Sequence, residues 1–141
     1  MKTVYFETSA LLAWLLGESR SAEVKKRIDS AEVVVTSVLT LVEAERALVR
    51  AETGKLLNAG DGEKLRGLLA RSKTGWILME ISEDVRARAS RFFPAEPLRT
   101  LDAVHLATAL VFMRVFPELE LLSYDERILK NARALGMGSP H

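Results

Sequence analysis

The amino-acid sequence predicts an α/β protein with a central parallel sheet. Short apolar runs typical of buried strands alternate with longer segments that suit helices. Residues 33–35 are three consecutive valines, the pattern expected of a strand that is covered on both faces. The chain has 141 residues, 48% of them hydrophobic, which is enough for one domain with its own core. We therefore expect one domain over residues 1–137, followed by a frayed tail over residues 138–141.

The individual elements follow from apolar runs and from the residues that punctuate them. Strands are predicted at residues 4–6, 33–35, 76–79 and 119–124. Helices are predicted over residues 10–16, 21–28, 63–71, 82–91, 101–115 and 125–135, and over a long segment that reaches residue 52. Side chains suited to cap a first helical turn precede several of these helices: Thr8 or Ser9, Ser37 or Thr40, Ser82 and Thr100. Glycines suited to end a helix are Gly17, Gly54 and Gly136. Residues 60–62, Gly-Asp-Gly, are expected to form a loop.

Composition excludes several classes of function. The chain has no cysteine, which excludes a disulfide scaffold, a zinc-thiolate site and a thiol nucleophile. It has two histidines, one of them C-terminal, which leaves little for a histidine-based metal site. Charges interrupt every apolar segment before the ~20 residues that a membrane crossing needs, and no basic region leads into a signal-like apolar stretch. We expect a cytoplasmic protein without a membrane partner.

The charges are unevenly distributed. The net charge is +1, so the chain has no global basic field. Residues 46–73, however, contain seven basic and three acidic side chains, a local charge of +4. A basic surface beside a group of acids suits a polyanion that is held for metal-assisted cleavage. The alternative is an ordinary solvated helix face.

Four carboxylates interrupt or end apolar stretches that should be buried: Glu7, Glu43, Asp102 and Asp125. A buried acid is rare unless something pairs with it. Glu7 follows the first strand and Asp125 follows the last, so both are expected at the carboxyl ends of the strands, where ligands bind in parallel sheets. Two carboxylates ~4 Å apart repel by roughly 4 kcal/mol at an effective dielectric constant of ~20. Hard divalent cations relieve that repulsion. The pattern therefore favours a metal-dependent enzyme that acts on phosphate groups.

Each acid also has a purely structural interpretation. Asp102 lies in the first turn of its helix, where the dipole favours an anion, although Thr100 is already available as the cap. Asp125 suits an N-cap. Helical periodicity does not choose between Glu43 and Glu45, and Glu43 is also spaced to pair with an arginine of its own helix. A serine–histidine pair is disfavoured, because one histidine on an apolar helix is more often packed than catalytic.

The sequence resembles PIN-domain ribonucleases, specifically the VapC-type toxins of prokaryotic toxin–antitoxin modules. Four segments carry the resemblance, in this order: residues 5–12 (YFETSALL), 36–43 (TSVLTLVE), 98–109 (LRTLDAVHLATA) and 122–127 (LSYDER). The third segment is the most specific, and the resemblance covers nearly the whole chain, from the first strand to Gly136.

The resemblance implies a three-layer sandwich with a central parallel sheet of four to five strands. It implies a ribonuclease that depends on Mg²⁺ or Mn²⁺ and that a cognate antitoxin protein inhibits. The family's acids fall on Glu7, Glu43, Asp102 and Asp125, which selects Glu43 over Glu45 by analogy. Glu7 and Asp102 resemble the principal metal ligands, with Glu43 and Asp125 completing the set and orienting the attacking water. Ser9 and Ser123 match hydroxyl positions that support the carboxylates.

Glu7 departs from the family, which has an aspartate there. The extra methylene moves the carboxylate by over ~1 Å on a fixed backbone, and such a misplacement can cost about a hundredfold in rate. We expect a functional site with altered geometry. The alternative is a catalytically weak or inactive PIN-like module that binds RNA or a protein. A phospho-receiver domain is disfavoured, because the acidic pair and the central phosphoacceptor aspartate of that fold have no match here.

The two helices of the basic segment also carry apolar residues: Val49, Leu56, Leu57, Leu65, Leu68 and Leu69. We expect part of this set to be exposed in the monomer and to serve a homodimer or the antitoxin.

Overall fold

The computed structural model describes residues 2–139. The strands are β1 (Thr3–Phe6), β2 (Val33–Ser37), β3 (Ile77–Met79) and β4 (Glu120–Leu122). The α-helices are α1 (Thr8–Leu15), α2 (Ser21–Asp29), α3 (Val38–Thr53), α4 (Ala59–Ser72), α5 (Glu83–Ala89), α6 (Thr100–Met113) and α7 (Glu126–Ala134). A 3₁₀ turn, Lys73–Gly75, connects α4 to β3. Among the described residues, no helix is both long and apolar enough to cross a membrane.

The strands form one parallel sheet in the order β3-β2-β1-β4. The central strand β1 aligns Tyr5 with Val35 on one side and with Leu121 on the other. Helices follow each strand, so every connection is a crossover, as parallel pairing requires. The predicted α/β fold with a central parallel sheet is confirmed, with four strands.

Alternate residues of β1 enter two separate apolar cores, one on each face of the sheet. Tyr5 and Val35 belong to the core that α5, α6 and α7 close. Val4 and Phe6 belong to the core under α1, α2, α3 and α4. Because side chains alternate along a strand, both faces of β1 are buried, which explains its unbroken apolar pattern. The result is a helix–sheet–helix sandwich with the short strand β1 at its centre.

The starts of three helices differ from the expectations, and two of the differences bear on the acids. The N-cap of α1 is Glu7, not Thr8 or Ser9, because the strand runs straight into the helix and Thr8 is already helical. The N-cap of α6 is Arg99, not Thr100, and its side chain makes no capping hydrogen bond. Ser37 and Ser82 cap α3 and α5 as predicted.

The third difference is that α4 begins at Ala59, so residues 60–62 form its first turn and not a loop. Asn58 caps this helix by accepting a hydrogen bond from the backbone N–H of Asp61 at 2.8 Å. Gly62 is buried, and a Cβ atom there would lie 2.7 Å from the carboxyl carbon of Glu52 on α3. The glycine therefore leaves room for the ion pair of Glu52 with Arg66, a role that looks like a loop signal in sequence.

The remaining boundary differences are small. Strands β3 and β4 are shorter than predicted, and α5 ends at Ala89. Gly17 and Gly136 adopt positive φ values of 65° and 86° after α1 and α7, as helix-terminating glycines do. Gly138 forms an isolated parallel bridge with Glu120, so sheet pairing extends one residue into the segment that we expected to fray. Residues 140–141 of that segment lie outside the described residues.

Candidate active site

A cleft of about 530 Å³ opens at the carboxyl ends of the strands, and Glu7, Glu43, Asp102 and Asp125 all line it. Their positions follow from the fold. Glu7 directly follows β1, Asp125 lies three residues after β4, and Glu43 and Asp102 project from α3 and α6. Four segments that are distant in sequence thus bring their carboxylates to one side of the sheet, at the edge where ligands bind in such folds.

The carboxylate of Glu7 is buried and held by three hydrogen-bond donors. Its Oε1 accepts from the hydroxyls of Ser9 at 2.6 Å and Ser123 at 2.5 Å, and its Oε2 accepts from the backbone N–H of Ser9 at 3.1 Å. Ser9 and Ser123 also accept the backbone N–H groups of Tyr124 and Asp125, at 2.8 and 3.0 Å. The two serines therefore tie Glu7 to the loop that leads into α7. The carboxylate of Glu7 caps α1, the helix that Glu7 directly precedes, and it also lines the cleft.

Glu43 is held by two donors from other elements. The Oε1 atom of Glu43 accepts a hydrogen bond from the hydroxyl of Thr8 at 2.6 Å and lies 2.6 Å from Nε2 of His105. Burial alone would raise the pKa of Glu43, but the hydrogen bonds from His105 and Thr8 outweigh it and leave the pKa below its ordinary value. Glu43 is therefore an anion that accepts hydrogen bonds, so Nε2 of His105 must carry the proton between them.

Behind His105, the chain of hydrogen bonds continues into the core. His105 is only 1% exposed, and its Nδ1 lies 2.9 Å from the hydroxyl of Tyr5. Burial, followed by the charge of Glu7, raises the pKa of Tyr5 far above its usual range, so this hydroxyl keeps its proton. In the neutral ring, Tyr5 donates to Nδ1 and Nε2–H donates to Glu43. The core thus fixes both the orientation and the tautomer of the imidazole.

Asp102 and Asp125 are joined by an arginine. The Nε atom of Arg99 donates to Oδ2 of Asp102 at 3.0 Å, and its Nη2 lies 3.5 Å from Oδ2 of Asp125. Hydrogen bonding to Asp102, then the charges of Asp102 and Asp125, raise the pKa of Arg99. The other oxygen of Asp125 accepts the backbone N–H of Arg127 at 2.9 Å, so Asp125 caps α7 as well as facing the cleft.

Glu45, and Arg66 of the basic segment, do not line the cleft. Glu45 pairs with Arg66 at 3.5 Å, and Arg66 also pairs with Glu52, which takes this arginine out of the positive surface that the sequence suggested. Arg46 and Arg50, on the same helix as Glu43, do line the cleft. Of the predicted apolar set, Leu56 and Leu57 lie between α3 and α4 and not on either helix. Leu56 is 83% exposed and Val49 is partly exposed, whereas Leu69 is buried.

The donor chemistry of the cleft suits a hard divalent cation. Carboxylate oxygens are the ligands that Mg²⁺ and Mn²⁺ accept, and the acids of Glu7 and Asp102 are buried, where an uncompensated charge is costly. Over residues 2–139, however, no three acidic or histidine side chains are arranged to hold one ion jointly. The four acids line one cleft, but they do not form a preassembled cage in this conformation. Mg²⁺ usually takes only one or two carboxylates directly, so the donors fit such an ion.

Sequence reasoning missed three residues of the site: Thr8, Arg99 and His105. The signal for His105 was a polar residue in the middle of an apolar helix, which we interpreted as packing. Packing is indeed part of its role, but the ring also contacts a cleft carboxylate. Arg99 gave no periodic signal, because it precedes its helix. Thr8 was considered only as a cap.

The fold and the cleft are those of a PIN domain. The sequence matches the PIN domain family over residues 4–134. It is 35% identical to ribonuclease VapC35 of Mycobacterium tuberculosis over 136 residues, covering 95% of this chain and 93% of the relative. It is 31% identical to ribonuclease VapC46 of the same organism over 138 residues, covering 97% and 95%. The chain therefore belongs to the PIN-domain family, among its VapC proteins, and the predicted resemblance is confirmed.

Two solved structures share the fold at low sequence identity. VapC20 of Mycobacterium tuberculosis, described as a toxin that cleaves the sarcin–ricin loop, superposes with a TM-score of 0.66 at 21% identity and covers 95% of both chains. A toxin–antitoxin complex from Klebsiella pneumoniae contains a chain with the same TM-score and identity, with 98% of both chains covered. These likenesses support the three-layer architecture.

Proposed function

We propose that this chain is a metal-dependent ribonuclease that hydrolyses phosphodiester bonds of RNA and acts as the toxin of a type II toxin–antitoxin pair. The observation that carries the proposal is the convergence of Glu7, Glu43, Asp102 and Asp125 on one cleft. The ribonuclease names of relatives that align over nearly the whole chain support it.

Glu7 and Asp102 would hold Mg²⁺ or Mn²⁺, with Glu43 and Asp125 completing its surroundings. A divalent ion bound there lowers the pKa of a coordinated water and neutralises charge on the phosphodiester. Ser9 and Ser123 keep Glu7 in place through their hydroxyl hydrogen bonds.

Glu43 is not suited to act as a strong general base. Because His105 and Thr8 depress its pKa, its carboxylate gains little from accepting a proton near neutral pH. It serves instead to accept a hydrogen bond from the attacking water and to orient it. His105 and Thr8 are positioning residues, since they fix Glu43 and do not reach the reacting atoms themselves.

Arg46 and Arg50 supply phosphate contacts beside the acids. They lie one helical turn apart on α3 and both line the cleft. Guanidinium groups bind phosphate through paired N–H donors, so these two side chains would hold the RNA backbone while the acids act on one phosphodiester.

The expected partners are an RNA substrate, a cognate antitoxin protein and a second copy of the chain. The toxin–antitoxin complex among the structural neighbours supports the antitoxin. The exposed Leu56 and the partly exposed Val49 support an apolar contact surface. Cytoplasmic localisation would follow from an RNA substrate and an inhibitor protein in the same compartment.

The proposal is tested by RNA cleavage with the purified full chain in Mg²⁺, in Mn²⁺ and in excess EDTA. We expect cleavage with either metal, none with EDTA, and a loss of at least about a hundredfold in Glu43→Gln. The matched control is Glu45→Gln, the same chemical change two residues away on the same helix but outside the cleft. Cleavage that persists in EDTA, or that is lost equally in both variants, contradicts the proposal. Absence of both metal binding and cleavage favours the inactive binding module.

A further inference from the structure

Arg99 lies where the acids of α6 and α7 meet. Its guanidinium contacts Asp102 at 3.0 Å and approaches Asp125 at 3.5 Å. The backbone of Arg99 is fixed as the N-cap of α6, but its side chain is 66% exposed, whereas that of Asp102 is 9% exposed. An exposed cationic group thus reaches over a buried anion.

A local helix contact does not account for this arrangement. Arg99 and Asp102 are three residues apart, a spacing at which ion pairs form on many helices. Asp125, however, is 26 residues further along the chain and belongs to the cap of α7. One guanidinium therefore links two carboxylates from different elements across the wall of the cleft.

The other two acids of the cleft are hydrogen-bonded to other side chains. Glu7 is satisfied by the hydroxyls of Ser9 and Ser123, and Glu43 by His105 and Thr8. Arg99 therefore offsets the charge of Asp102 and Asp125, the two acids with which it pairs. Without a counter-charge, Asp102 and Asp125 would repel each other in partly desolvated surroundings.

We propose that Arg99 is a built-in counter-cation that occupies the metal-free site and is displaced when a divalent ion binds to the same carboxylates. This inference rests on the proposed function, because it assumes that the acids of the cleft bind Mg²⁺ or Mn²⁺. It explains why no three acids of the described residues are arranged to hold an ion jointly: two of them are turned toward Arg99. Guanidinium and ion then compete, so the arginine stabilises the metal-free protein and weakens metal binding.

The test is a calorimetric titration of the full-length chain with MnCl₂, comparing the wild type with Arg99→Gln. Removing the competitor is expected to tighten Mn²⁺ binding about fivefold, the effect of losing a partly exposed ion pair. Thermal unfolding in EDTA is expected at a lower temperature in Arg99→Gln than in the wild type, and saturating Mn²⁺ should narrow the gap.

The matched control is Arg114→Gln. Arg114 donates to Asp84 at 2.9 Å and is 62% exposed, close to the exposure of Arg99, but it does not line the cleft. Its replacement should leave Mn²⁺ affinity unchanged. Arg99→Lys keeps the charge but cannot bridge two carboxylates with a planar fork, so an intermediate affinity is expected, and this variant retains a cation if the glutamine variant fails to fold.

The titration distinguishes failure of the Arg99 inference from failure of the proposed function. Mn²⁺ binding by the wild type that is unchanged or weaker in Arg99→Gln contradicts the inference and leaves the ribonuclease intact. Failure of both chains to bind Mn²⁺ contradicts the metal-dependent ribonuclease and, with it, the displaced arginine.

Discussion

Replacing His105 with leucine removes three hydrogen-bond contacts of the imidazole, the longest of them between Nε2 and the hydroxyl of Thr8 at 3.2 Å. Nε2 loses its contact with Glu43 at 2.6 Å, and the hydroxyl of Tyr5 loses its contact with Nδ1 at 2.9 Å. A hydrogen bond to a charged group contributes ~1.5–3 kcal/mol and a neutral one ~0.5–1.5 kcal/mol. Tyr5 is fully buried, so no water replaces its lost partner. We expect a loss of about 2–4 kcal/mol in the free energy of unfolding, or a fall in Tm of roughly 6–12 °C.

A double-mutant cycle with Tyr5→Phe assigns the effect to the hydrogen-bond chain. Urea unfolding of the wild type, the two single variants and the double variant gives the four free energies. Because His105→Leu removes the imidazole partner of the Tyr5 hydroxyl, and Tyr5→Phe removes that hydroxyl, the double variant should lose about 1 kcal/mol less than the sum of the single variants. Additivity to within ~0.5 kcal/mol would refute the coupling. If His105 positions Glu43, kcat should fall in His105→Leu while KM for RNA changes little.

Three further predictions concern other residues of the cleft. Glu7→Asp is expected to raise the ratio of Mg²⁺-supported to Mn²⁺-supported cleavage, because a shorter side chain suits the strict octahedral geometry of Mg²⁺; an equal ratio in both forms, or no cleavage by either, contradicts this. The hydrogen bonds that His105 and Thr8 donate to ionised Glu43 lower its pKa from 4.5. The stability that ionised Glu43 contributes is therefore fully present above about pH 4.5. It is lost as the pH falls through the lower pKa that Glu43 has in the folded protein. The stability difference between the wild type and Glu43→Gln should therefore shrink between pH 5 and pH 3 in urea unfolding, and a constant difference argues against the depressed pKa. Replacing Arg46 and Arg50 with glutamine should reduce the magnitude of the slope of log RNA affinity against log salt concentration by about 1.4. The control is Arg66→Gln, which breaks ion pairs with acids. It should lower Tm and leave that slope unchanged.

The fold was predictable because its signals are local and mutually consistent. Three consecutive valines in β2 and the apolar run of β1 indicate strands that are buried on both faces. Helix-forming segments between them imply parallel crossovers. The rule that ligands bind at the carboxyl ends of such strands then places Glu7 and Asp125 together, and both do line the cleft.

The details that escaped prediction depend on contacts between distant segments. Glu7 caps its own helix through Oε2, while its Oε1 accepts the hydroxyl of Ser123, 116 residues away. His105 looks like a packed core residue until α3 brings Glu43 to within 2.6 Å of it. The loop signal of Gly62 reflects instead the close approach of Glu52 on the neighbouring helix. Sequence patterns indicate burial and periodicity. These three contacts between distant segments change neither the apolar pattern nor the helical period, so the sequence alone does not reveal them.

The proposed metal-dependent cleavage depends most directly on where a divalent ion binds. A crystal structure of the full chain with MnCl₂, with the anomalous signal of manganese recorded, locates it without reference to activity. We expect one strong peak in the cleft, at about 2.0–2.3 Å from a carboxylate oxygen of Asp102 or Glu7. A structure at saturating MnCl₂ with no peak in the cleft, or with manganese only at acids elsewhere on the surface, would contradict the assignment of these carboxylates as a metal site.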